Sequence, residues 1–139
     1  MSYEEKGAWV YLAAAVLTYL GYVAVVLVRA GGGPVDEVAY VAPMLWAIGI
    51  SIALTALGRV GVEVARPSER HQPDVRDRDI LRHGEYVGFY VLGYGLLPAF
   101  ALTLAEVDHF WIANAIYLAF IANAVTSSVV KLVAYRRGL

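Results

Sequence analysis

Charged residues gather into short clusters along this chain. Between them lie four long stretches without Asp, Glu, Lys or Arg: Gly7–Val28, Val38–Gly58, Tyr86–Ala105 and Phe110–Val130. A helix needs about 20 apolar residues to cross a hydrocarbon core roughly 30 Å thick, and each stretch has that length. The pattern predicts an all-α membrane protein, an antiparallel bundle of four transmembrane helices. The spans fall at about 7–29, 38–64, 84–105 and 109–134, in a single integral domain over 1–139 with a loop at 65–83. The first span is longer than the usual 7–15 residue apolar region of a signal peptide, and Glu4 and Glu5 precede it, so it is expected to stay attached.

Basic residues give the orientation. Arg66, Arg70, Arg76, Arg78 and Arg82 lie in the middle loop, and Lys131, Arg136 and Arg137 lie near the C-terminal end, whereas the two opposite connections hold only Arg29. Lys and Arg near span ends are retained in the cytoplasm, so both termini and the middle loop are expected there. The connection "EVDHF" is short enough to force helices 3 and 4 into a hairpin. Composition agrees with a membrane protein: 60% of residues are hydrophobic and 17% charged, against about 45–50% and about 25% in soluble domains. A net charge of −1 gives no reason to expect nucleic acid as a partner. With no cysteine, disulfides, thiolate nucleophiles and cysteine metal sites are excluded.

The densest cluster, "DVRDRDILRHGE" from Asp74 to Glu85, opens with a plausible N-cap and is expected to run as a helix through His83 into the third span. Asp74 with Arg78, Asp79 with Arg82, and Arg82 with Glu85 share a face at opposite charge. A solvated, ion-paired collar is the expected role. A cytoplasmic partner surface formed by Asp74, Asp77, Arg78, Asp79, Arg82 and Glu85 is the functional use considered for it. The pair Asp79 and His83, with His71, Asp77 and Glu85 nearby, is weighed as a metal site and set aside, because five arginines compete for the carboxylates. No metal and no cofactor are expected.

Within the spans, counting inward at about 1.5 Å per residue puts Thr18, Ser51, Tyr94 and Asn123 near the midplane, where they are expected to face inward and meet. Bonding between helices is favoured over a pathway, because no ionisable group lies at that depth. Arg59, Glu63 and Lys131 are expected to pair across helices 2 and 4 near the cytoplasmic boundary. Gly84, Gly88 and Gly95 form a small-residue face on helix 3, read as the surface through which copies self-associate. Ser127 and Ser128 are read as having no base within helical reach, so no catalytic residue is assigned.

The runs "DVRDRDILRHGEYVG", "EVDHFWIANAIYLAF", "KLVAYRRGL" and the opening "MSYEEKGAWVYL" resemble a group of small uncharacterised four-span bacterial membrane proteins, particularly actinobacterial ones. In that group a D-E-R-D-x-E-I type motif precedes the third span. Here it is reduced to D-x-R-D-x-x-I, with Val75 in place of the acidic second position and Ile80 keeping the aliphatic one. The resemblance covers most of the chain and implies fold and a bacterial inner-membrane location, with no chemistry. The expectation is a non-enzymatic scaffold or regulatory component, a homo-oligomer in contact with membrane lipid and with a cytoplasmic protein partner. The alternative is a small oligomeric transporter or channel with a polar midplane site.

Overall fold

The computed structural model describes residues 2–65 and 74–138. Its helices are α1 (Tyr3–Ala30), α2 (Val41–Ala65), α3 (Val75–Leu104) and α4 (His109–Arg137), with a short 3-10 turn at Val35–Glu37 and no strand among the described residues. Each of the four is long and apolar enough to cross a membrane, as in a multi-pass membrane protein.

Local chemistry sets the helix ends. The Ser2 hydroxyl accepts from the Glu5 N–H at 3.1 Å, with Glu4 and Glu5 in the first turn, where acids complement the helix dipole. α1 stops at Gly31, whose φ of 56° is left-handed and whose N–H reaches the Leu27 carbonyl at 3.2 Å. Asp74 caps α3 by accepting from the Arg76 N–H, and Asp108 caps α4 by accepting from the Phe110 N–H at 2.9 Å. α3 is one helix from Val75 through Pro98 to Leu104, so the charged cluster and the apolar run after it share one rigid rod.

Packing follows a fixed order of neighbours: α2 lies on α1, α1 on α4, and α4 on α3, while the outer helices α2 and α3 have little contact with each other. The inner helices α1 and α4 therefore carry most of the buried side chains, and Ala47 is the one buried residue of α2. Tyr22, Val26, Ala47, Phe110 and Tyr117 form the apolar core. The Tyr117 ring meets Tyr19 and Tyr22 edge-on at 5.2 and 5.3 Å, the arrangement ring quadrupoles favour. Tyr22 donates its hydroxyl to Asn114 Oδ1 at 2.7 Å, and the Asn114 amide donates to the Phe110 carbonyl at 2.8 Å. This satisfies polar groups that would otherwise be orphaned in hydrocarbon. The Tyr117 hydroxyl is buried without a hydrogen-bond partner.

Glycines set the closest approaches. A Cβ at Gly84 would collide with the Lys131 side chain, one at Gly88 with the Asn123 side chain, and one at Gly95 would stand 3.0 Å from the Ala119 Cβ. All three lie against α4. Gly58 serves α1 and α2 in the same way, with Val10 filling the space its Cβ would need.

Candidate functional site

The charged cluster becomes the first turns of α3. Ile80 and Gly84 are buried and hold these turns down, while Asp74, Arg78, Asp79, Arg82 and Glu85 are exposed and Asp77 is half-buried. The preceding connection, which includes Arg66, Arg70 and His71, lies outside the described residues. The charges from Asp74 to Glu85 are thus fixed on a helix.

Beside this rod is a polar cavity of about 490 Å³ whose lining comes from all four helices. Glu4 lies on α1, Arg59 on α2, Glu85 on α3, and Asn123, Ser127 and Lys131 on α4. The Lys131 ammonium pairs with the Glu85 carboxylate at 3.5 Å, and the Lys131 side chain is 13% exposed against 72% for Glu85. With one partner so open to solvent, the bond contributes only on the order of a surface pair, up to about 1 kcal/mol.

Three sequence expectations are corrected by this arrangement. The Lys131 ammonium does not pair across helices 2 and 4 with Arg59 or Glu63, although Arg59 and Lys131 line the same cavity. Lys131 turns to Glu85 because α4 packs on α3, and the Arg59 guanidinium lies over Gly7 because α2 packs on α1. The glycine face of α3 is not a free surface for self-association, since α4 covers it.

Nor do the side chains of Thr18, Ser51, Tyr94 and Asn123 meet one another. The Thr18 hydroxyl donates to the Ala14 carbonyl of its own helix at 2.6 Å. Ser51 is half-buried on α2, facing a groove, and its carbonyl accepts from the Thr55 hydroxyl at 2.8 Å. Tyr94 is 70% exposed. Asn123 lies against Gly88. On α3 the glycines and the tyrosines occupy opposite faces, and the glycine face is the one that meets α4. Tyr86 and Tyr90, also exposed, place their hydroxyl oxygens 3.1 Å apart.

Sequence reasoning missed three features. Asn114, one of two asparagines on α4, bonds Tyr22; its amide in an otherwise apolar run was the available signal. Lys131 stands one turn beyond Ser127, a base within helical reach of that serine, although here its ammonium is engaged by Glu85. The third is the polar cavity at the charged end of the bundle. Chemically, this cavity can hold a polar or charged group by hydrogen bonds and by two cations set against two acids. Among the described residues, no three His, Cys, Asp or Glu side chains converge as a metal site would require.

No protein-family model, curated protein or solved structure matches this chain.

Proposed function

We propose that this chain is a non-enzymatic integral protein of the bacterial cytoplasmic membrane and acts as a scaffold or regulatory component. In this reading the four helices cross antiparallel with both termini and the 66–73 connection inside, where the excess of Arg and Lys belongs. A cytoplasmic protein docks on the first turns of α3.

One observation carries the proposal: α3 continues unbroken from an apolar span into a charged segment, which is anchored through Ile80 and Gly84 and shows Asp74, Arg78, Asp79 and Arg82 outward. A fixed array of alternating charges is a specific electrostatic surface whose ordering cost is met before the partner arrives. A transport path at the midplane gains no support, because the side chains that would line it are apart.

Quantitative affinity capture from the native membrane tests the docking surface. The triple variant Asp77→Ala, Asp79→Ala, Arg82→Ala is expected to lose at least one cytoplasmic protein about tenfold, equivalent to about 1.4 kcal/mol. Glu106→Gln, in the other connection, is expected to keep that protein. Identical partner sets for wild type and triple variant would contradict the proposal.

A further inference from the structure

An apolar groove of about 790 Å³ lies beside the polar cavity, within the roughly 300–1,000 Å³ range of ligand sites. Met44, Ile48 and Ile52 of α2 form one wall, Ile116 and Phe120 of α4 the other, and Ala15 of α1 lies between them. The groove exists because α2 packs chiefly on α1, leaving much of its side toward α4 uncovered. Its lining includes one charged residue, Arg59, and no acid.

Tyr11, Thr55 and Arg59 line both the groove and the polar cavity. The two spaces therefore share a border, and polarity rises in one direction along it. The first part is hydrocarbon. At the border come two hydroxyls and a guanidinium, and beyond it lie Asn123, Ser127 and the Lys131–Glu85 pair, with Glu4 on the far wall. Along α2 the sequence Ser51, Thr55, Arg59 marks this gradient over about 12 Å, eight residues at about 1.5 Å each. Arg59 has no ion pair among the described residues. A guanidinium is a planar fork that matches phosphate oxygens in pairs.

We infer that this cleft binds one anionic phospholipid of the surrounding bilayer, with an acyl chain in the groove and the headgroup phosphate on Arg59. The adjoining polar cavity receives the rest of the headgroup. Arg59 is the selecting residue, and the apolar walls supply binding common to all acyl lipids.

Native mass spectrometry of the full chain in detergent tests this with phosphatidylglycerol, phosphatidylcholine or inorganic phosphate added. Wild type is expected to retain a single phosphatidylglycerol about fivefold over phosphatidylcholine, the order expected for one basic side chain facing an anionic lipid. Free phosphate is expected to leave no adduct. Arg59→Gln, a change at an exposed position, keeps lipid binding and brings the two lipids to within about twofold of each other. Ala113→Trp, which fills the groove, lowers retention of both lipids. Equal retention of the two lipids by wild type, or undiminished selectivity in Arg59→Gln, would overturn the inference. So would phosphate bound without lipid. A lipid-free dimer that Ala113→Trp dissociates would make the groove an interface between copies and would overturn it as well.

Discussion

The two outer helices are seated in different ways. α3 meets α4 along a stripe of three glycines, where side chains of α4 occupy the space a Cβ would take or approach it closely. α2 meets α1 closely at Gly58, while its Gly49 and Gly61 have nothing near them and its side toward α4 borders an open groove. Without a hydrophobic drive between helices in lipid, close packing and interhelix hydrogen bonds decide association. α3 has the packing needed to be locked in place, and α2 leaves room beside it for another molecule. The same residue type therefore has opposite consequences in the two helices.

Substituting glycines on both sides breaks or sharpens this contrast. Gly88→Leu is expected to lose about 2–3 kcal/mol of stability to unfolding in mixed micelles, the cost of forcing a large side chain into a filled space. Gly61→Leu is expected to stay within about 0.5 kcal/mol of wild type. Equal losses at the two positions would remove the distinction. A smaller effect belongs to the inner pair of helices: Tyr22→Phe deletes the bond to Asn114 and is expected to cost about 0.6–1.7 kcal/mol in the same measurement. No loss would mean that Asn114 finds another donor.

Much of the fold is legible in the charge-free runs, because a membrane span must be both long and apolar and few other segments are. The Asp74 cap and the continuous helix through His83 follow from local chemistry in the same way. The four-residue turn 105–108 makes α3 and α4 neighbours. Periodicity shows which residues share a face of a helix, but not which helix that face meets. Spacing alone therefore offers the glycines of α3 for self-association and matches Lys131 with Arg59 and Glu63, whereas the helix order gives the glycines to α4 and Lys131 to Glu85. Tyr94 misled for another reason. Its hydroxyl suggested an inward face, yet the glycines opposite allow the closer backbone approach, so α4 packs there and the tyrosines point outward. The cleft is illegible in the sequence because it depends on α2 and α4 standing apart, a property of the helix order rather than of any one segment.

Oxidative cross-linking tests whether the glycine stripe of α3 is covered by α4 of the same chain. The sequence has no native cysteine, so Gly95→Cys with Ala119→Cys introduces the one available pair. A Cβ at position 95 would stand 3.0 Å from that of Ala119, close to the roughly 3.5–4.5 Å that a disulfide spans. A disulfide within each monomer is expected to form in the membrane at any protein density. A cross-link found only between two chains would contradict it and return the glycine face to self-association.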